Sequence, residues 1–445
     1  MFRRVLIANR GGIAVRLIQA CRDLELETVA VFSEPDRSAR HAGLASRAIC
    51  IGPASASKSY LDQDAILTAA QVTGADAVHP GYGFLAENAD FARRVREAGL
   101  TWIGPEPGTI DRMGDKAAAR RTAVEAEVPV LPGTPEPPAD AAEARHHAAE
   151  IGFPLLLKAV SGGGGKGMRR VDRASDLERQ FETASREAEA AFGDPRIYLE
   201  RFARRPRHVE VQVFGEHDGE VKALGARECS IQRRHQKLLE ESPPPGVEPS
   251  VLEAMFDASV RLARSVDYRG AGTVEFLLEP DGEFYFMEMN TRIQVEHTVT
   301  EMVVSADLVT AQILCAQGRP SRLPEGPHGA GHAIECRINA EDPRSFTPSP
   351  GRIEHLIWPL GPGVRIDTHV FPGYVFPPFY DSLLAKFVVY GNDRPQAIAR
   401  MRRALAEFEI HGVATTAALH KRILEDPRFI AGALDTSFLD GLSRS

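Results

Sequence analysis

The chain has 445 residues, 43% hydrophobic and 26% charged, with a formal net charge of −8 at pH 7. This implies two or three ordinary globular domains, and the acidic balance argues against nucleic-acid binding. Nothing approaches the roughly 20 apolar residues of a spanning helix, and the five cysteines are scattered without CxxC spacing, so no membrane span, disulfide framework or zinc site is expected, and a reducing, cytoplasmic compartment is.

In chain order, residues Arg4 to Ala8 read as an apolar strand, Asn9 to Gly12 as a turn, and Ile13 to Leu24 as a helix. The opening MFRRVLIANRGG imitates a signal peptide, but Asn9, Arg10 and Arg16 break its apolar run. ETVAVFS, ADAVHP and LTWIGP add further βα units, giving a doubly wound α/β domain to about residue 113. The turn ANRGG lacks GxGxxG spacing, which disfavours a nicotinamide dinucleotide site. HPGYGF (79–84) directly follows a strand; its glycines either turn the chain sharply or let backbone approach a ligand, and both readings stay open.

After Met113-Gly114-Asp115-Lys116 comes a helix, then VPVLPGTPEPPAD, a proline-rich boundary or hinge. The strand GFPLLLKAV carries Lys158 at its end and leads into SGGGGKGM (161–168). The N–H groups of such a loop can meet phosphate oxygens, so a lid over phosphates is expected; the P-loop pattern fails at Met168. RFARRPR (201–207) reads as a solvated connector. Beyond HVEVQVF, the run CSIQRRHQK places Gln232, Arg233, Arg234, His235 and Lys237 together at a strand end.

The stretch Gly272 to Glu301 reads as two strands, TVEFLLE and EFYFMEMN, around a Pro-Asp-Gly turn. If Asp281-Gly282 centres a tight hairpin, Glu275 opposes Glu288, and Asn290 shares their face. Opposed carboxylates repel unless something positive sits between them, and this oxygen set suits Mg²⁺; the bland alternative is a solvated acidic face. TRIQVEH (291–297) follows without loop punctuation, and from about residue 330 a final α/β segment begins.

Taken together, IANRGGIAVR, HPGYGFLAEN, MGDK, KAVSGGGGKGM, RHVEVQV, RECSIQRRHQK, GTVEF, FMEMNTRIQVEHTVTE, ECRINAEDP and PPFYDSLLAK resemble the biotin carboxylase component of biotin-dependent carboxylases, such as acetyl-CoA carboxylase, within the ATP-grasp superfamily. The likeness runs over essentially the whole chain. It implies an α/β ATP-grasp fold with an N-terminal Rossmann-like domain (1–113), an ATP-grasp domain (114–329) holding a mobile lid subdomain (about 131–203), and a C-terminal α/β domain (330–445). The implied activity is that of a ligase which carboxylates biotin with ATP and bicarbonate through carboxyphosphate. Other ATP-grasp ligases lack the RRHQK and NTRIQVEH runs together, and a scaffold that has lost activity would not keep Lys237, Glu288 and Arg292.

By resemblance, Lys116 and Lys158 bind ATP phosphates and Gly163, Gly164, Gly165 and Met168 form the lid loop. Glu200, Arg201, His208, Gln232, His235 and Leu277 contact the nucleotide, and Glu275, Glu288 and Asn290 hold two Mg²⁺ or Mn²⁺ ions. Lys237, Arg292, Gln294 and Val295 hold bicarbonate, Glu296 is the base, Arg337 stabilises the biotin enolate, and Tyr82 and Gly83 lie by the biotin pocket. The sequence contains no Ala-Met-Lys-Met acceptor motif, so the resemblance implies biotin presented by a biotin carboxyl carrier protein, with a carboxyltransferase subunit downstream and a homodimeric enzyme. Three positions depart from the family: Gly12 stands where Glu is usual, Thr298 where Pro is usual, and Ala203 where a larger apolar residue is expected against adenine.

Overall fold

A five-stranded parallel sheet opens the molecule, in the order Arg47–Cys50, Glu27–Phe32, Arg4–Ile7, Ala77–His79 and Thr101–Trp102. Its centre is apolar on both faces because helices cover both. Val5 and Ile7 pack with Ile13 and Leu17 of the helix Gly11–Asp23, and Leu6 packs on the opposite side with Ile66 and Phe91. That first helix starts two residues before the expected Ile13, because two glycines contribute nothing to an apolar periodicity. The computed structural model describes residues 1–161, 167–327 and 329–442.

The largest element is an eight-stranded antiparallel sheet, in the order Phe284–Asn290, Gly270–Leu278, Arg207–Gly215, Val221–Arg233, Gln236–Ser242, His332–Asn339, Leu383–Gly391 and Val364–Thr368. Helix Pro249–Ser265 buries Met255, Ala258 and Leu262 against Val211, Val213 and Phe276 at one end. Helices Arg394–Glu407 and Ala417–Glu425 bury Met401, Leu405 and Ile423 against Phe387 and Ile338 at the other. The sheet is continuous past residue 330, since Gln236–Ser242 pairs directly with His332–Asn339.

A third sheet, Met168–Val171, Leu155–Ala159 and Ile197–Arg201, is backed by helices Ala141–Ile151 and Leu177–Phe192. The proline-rich connector is tied to both sheets it joins. Phe286 N donates to Pro129 O at 2.7 Å, Arg201 N to Pro132 O at 2.7 Å, and Thr134 N to Leu199 O at 2.9 Å.

Two hairpins differ from expectation. The loop between Leu278 and Phe284 is one residue longer than a tight two-residue turn: Glu279 N donates to Glu283 O at 2.8 Å across Pro280-Asp281-Gly282, with Gly282 at φ 92°. A bulge at Met287 then shifts the register by one, so Phe276 faces Phe286 while Glu275 faces Glu288. The acids therefore oppose one another as expected, through two compensating irregularities. Residues 232–237 lie at a strand end, as expected, but the chain turns straight back there. They make a second hairpin, in which Arg233 pairs with Gln236 and Arg234 and His235 take φ 48° and 65°. A turn without glycine, asparagine or proline leaves no turn signal in sequence. Left-handed backbone at such residues costs of order 1–3 kcal/mol each, and it concentrates at binding sites.

Candidate active site

A cleft of about 1700 Å³ separates the parallel domain, the three-stranded sheet and one face of the long sheet. Tyr82, Gly83, Lys116, Lys158, Met168, Glu200, Arg201, His208, Gln232, His235, Leu277, Val295 and Arg337 all line it, as do Lys237, Glu275, Glu288, Asn290, Arg292, Gln294 and Glu296. Gly163, Gly164 and Gly165 lie outside the described residues.

At the centre is Lys237, whose Nζ donates to Glu210 Oε2 at 2.5 Å, Glu296 Oε1 at 2.6 Å and Glu275 Oε1 at 3.0 Å. Burial opposes its charge, but these three carboxylates outweigh burial and raise the ammonium well above its usual value. Glu296 is the reciprocal case. Burial favours its neutral form, yet Lys237, Arg337 and Arg227 hold it well below the usual carboxylate range. Arg337 donates to Glu296 Oε2 at 2.9 Å and forms an ion pair with Glu240. Gln294 donates to Glu275 at 2.7 Å, and the Val295 carbonyl accepts from Lys386 at 2.8 Å. Residues 291–296 bend, and Glu296 stands at the start of helix His297–Val304, so Arg292, Gln294 and Glu296 converge through a turn.

Glu275 and Glu288 oppose one another, and Asn290 donates to Glu275 at 2.9 Å. The positive charge that the pair needs is already in the protein. Lys237 and then His208, whose Nε2 lies 2.9 Å from Glu275, outweigh burial and hold Glu275 well below its usual value. Glu288 faces the open cleft. Burial by the cleft walls and then repulsion from Glu275 raise its carboxyl, while Lys116 counters. Burial, only partly offset by Glu288, lowers Lys116 in turn. Two carboxylates and an amide carbonyl are the donor types of a hard divalent cation: Glu288 opens on the side from which a phosphate-bound ion would come, whereas Glu275, and the Asn290 carbonyl that accepts from Arg292 at 2.8 Å, would each exchange a present donor for it.

Lys158 contacts Glu200 and stands opposite Met168 across two strands. His208 Nδ1 lies 2.6 Å from the Gln232 amide. The Arg201 side chain is held by Glu279 at 2.7 Å. Gly81 and Gly83 answer the open question differently. A side chain on Gly81, at φ 64°, would meet Ile13 and Asn9 at 3.0–3.1 Å, so this glycine makes the turn. Gly83, at φ 70°, has the same left-handed backbone but faces open space on the cleft, so there the turn and the approach of a ligand are both served.

Of the three departures, Gly12 leaves room beside His369, Ala203 lines the cleft, and Thr298 donates its hydroxyl to Glu335. Several site residues were missed from the sequence. Glu87 binds Arg292 Nε at 2.7 Å from the parallel domain. Fully buried Arg227 joins Glu210 at 2.5 Å, Gln212 at 2.7 Å and Gln294 at 2.9 Å. Alternation along HVEVQVF and ALGARE was the only signal that Glu210 and Arg227 point inward.

Family profiles match in the same order: biotin carboxylase N-terminal domain over residues 1–110, the ATP-binding domain of the carbamoyl-phosphate synthase L chain over 115–324, and biotin carboxylase C-terminal domain over 335–441. The chain is 49% identical to a Nostoc biotin carboxylase over 100% of both chains, and 50% identical to Bacillus subtilis biotin carboxylase 1 over 99% of this chain and 98% of that one. It is 49% identical to a Pseudomonas aeruginosa biotin carboxylase, over 99% of this chain and 98% of that one. Among solved structures, the Campylobacter jejuni biotin carboxylase–β,γ-ATP complex superposes with TM-score 0.94 at 43% identity, covering 99% of each chain. The biotin carboxylase domain dimer of Hydrogenobacter thermophilus 2-oxoglutarate carboxylase, with MgADP, ADP and bicarbonate, gives TM-score 0.92 at 44% identity, over 99% of this chain and 97% of that one. The mixed α/β architecture is thus the ATP-grasp fold, and the chain belongs to the biotin carboxylase family.

Proposed function

We propose that the chain carboxylates biotin with ATP and bicarbonate, the first half-reaction of a biotin-dependent carboxylase, and that the residues around Lys237 perform it. The observation that supports this most strongly is the convergence of Lys237, Arg292, Gln294, Glu296 and Arg337 beside the Glu275–Glu288 pair. Lys116 and Lys158 would take ATP phosphates, and Glu200, Arg201, His208, Gln232, His235 and Leu277 would contact the nucleotide. Met168 would belong to a lid subdomain, about residues 131–203, hinged at the proline-rich connector and near Glu200. Glu275, Glu288 and Asn290 would hold Mg²⁺ or Mn²⁺, which neutralises phosphate charge when bound.

Glu296 in its resting contacts is a poor base, because three cations stabilise its anion. A bicarbonate drawn to Lys237 and Arg292 competes for Lys237 and raises the basicity of Glu296 at the moment it must accept a proton. Arg337 then faces the ureido oxygen of biotin, where a preorganised cation favours the enolate; one such donor is worth about 3–4 kcal/mol in other enzymes. Biotin arrives on a biotin carboxyl carrier protein past Tyr82 and Gly83, a carboxyltransferase consumes the product, and the enzyme works as a cytoplasmic homodimer. The test is ADP formation with bicarbonate and biotin each supplied or withheld, then with biotinylated carrier. The rate should require bicarbonate and rise with biotin, and most with carrier. Equal rates without either substrate would make the chain a different ATP-dependent enzyme.

A further inference from the structure

Behind Arg337 lies a pair of acids that the reaction as described does not use. Glu240 and Glu335 are direct cross-strand partners, and both are fully buried. Neither oxygen of Glu240 accepts a well-aligned hydrogen bond, and Glu335 Oε1 accepts none among the described residues. The other Glu335 oxygen takes the Thr298 hydroxyl, and Arg337 bridges Glu240 to Glu296.

Among the described residues, one cation, Arg337, touches the pair directly, while Lys386 and Lys237 act on it from a distance. Lys237, on the strand of Glu240, is committed to Glu210, Glu275 and Glu296. Lys386, on the strand next to Glu335, is held by the Val295 carbonyl at 2.8 Å and Asp367 at 3.6 Å. Glu296 adds negative charge from the neighbouring helix, and the Tyr82 phenol from the cleft stays neutral because burial raises it. Two fully charged carboxylates facing each other in a dry sheet, with one guanidinium between Glu240 and Glu296, would be strongly unfavourable.

We propose that Glu240, Glu335 and Thr298 are positioning residues for Arg337, the two glutamates retaining one proton between them so that a single negative charge stands behind the guanidinium. With both acids ionised, Arg337 is pulled back into the sheet and away from the cleft. With neither ionised, it collapses onto Glu296 and quenches the base. One charge holds it between the two. Thr298 biases the pair by donating to Glu335, which steadies the anion there and leaves the proton to Glu240. Burial raises both acids: opposed by Arg337 and reinforced by Glu335, it pushes Glu240 up to about 8, and it raises Glu335 as well, there opposed by Lys386, Arg337 and the Thr298 hydrogen bond. This inference rests on the role given to Arg337 above.

The experiment is infrared difference spectroscopy of the full chain in H₂O and D₂O, wild type minus Glu240→Gln and wild type minus Glu335→Gln. At pH 7 the wild type should show a protonated-carboxyl band that shifts in D₂O and is missing from both variants, since a lone remaining acid ionises beside Arg337. In the wild type alone the band should fade as pH rises through about 8. Turnover supplies the second readout. Each single variant should lose up to about threefold in biotin-dependent kcat, and the double variant about tenfold or more, with KM for ATP moving much less. A wild type without the band, single variants that keep it, or a double variant with parental kcat would overturn the inference. The band is read without turnover, so its absence overturns the pair alone. Parental turnover in Arg337→Ala would instead overturn the role of Arg337 and the positioning with it, leaving the band in place.

Discussion

Replacing Lys237 with methionine tests the centre of the site. The substitution keeps the side chain's length and removes the cation from among Glu210, Glu275 and Glu296, which it meets at 2.5, 3.0 and 2.6 Å. Breaking a buried ion pair by deleting one partner costs about 3–5 kcal/mol. A second route gives the same size: one carboxylate must take a proton, and moving a group of ordinary pKa near 4.3 to its neutral form at pH 7 costs about 3.7 kcal/mol at 1.36 kcal/mol per unit. The second route also fixes the sign with pH. In the variant, one acid of the cluster has a folded pKa raised above its unfolded value. Its stability is fully present below about pH 4.3 and is lost as pH rises toward the raised value. The deficit against the parent should therefore be several degrees of melting temperature at pH 7.5 and clearly smaller at pH 5.5. Turnover should fall at least about a hundredfold, the scale for loss of one preorganised charged group. The assays are thermal unfolding at the two pH values and biotin-stimulated ADP formation. A variant with parental melting at pH 7.5, or with the same deficit at both pH values, would refute the charge accounting; one that retains biotin stimulation would refute the assignment of Lys237.

Glu288→Gln removes the repulsion with Glu275 and should raise ligand-free melting temperature slightly, while raising the Mg²⁺ concentration for half-maximal ADP formation about tenfold; unchanged magnesium dependence would sink the metal assignment. Gly81→Ala places a methyl against Ile13 and Asn9 at a φ of 64°, so it should cost about 1–3 kcal/mol in denaturant unfolding, and a neutral result would show that the turn is not needed as built. The folded pKa of Glu240 lies above its unfolded value, so its stabilising contribution is complete below about pH 4.5 and disappears by about pH 8; the parent should lose stability across that window, and Glu240→Gln should lose less. Hydrogen exchange over residues 131–203 should slow on ATP binding, and identical exchange with and without ATP would count against a closing lid.

Much of this protein was legible in its sequence because period and punctuation are local. Alternation in EFYFMEMN placed Glu288 and Asn290 on one face, although their opposition to Glu275 rests on a longer turn and a bulge that offset one another, and the apolar strand before residues 79–84 placed Tyr82 and Gly83 at a strand end. The family resemblance then pointed to every described residue that it assigned to the cleft. What stayed hidden has two physical sources. The turn at Arg234 and His235 carries no glycine, asparagine or proline, because its left-handed backbone is imposed by the strands it joins and not chosen by its residues. The partners of the site, namely Glu87 for Arg292, Arg227 for Glu210 and Gln294, and Glu335 for Glu240, are separated by 205, 17, 67 and 95 residues in the chain. A charged residue in a sequence looks the same whether water or a buried partner neutralises it. Only the packing of an eight-stranded sheet, built from strands between residues 207 and 391, decides which acids are dry, which cation each one shares, and where one proton must stay.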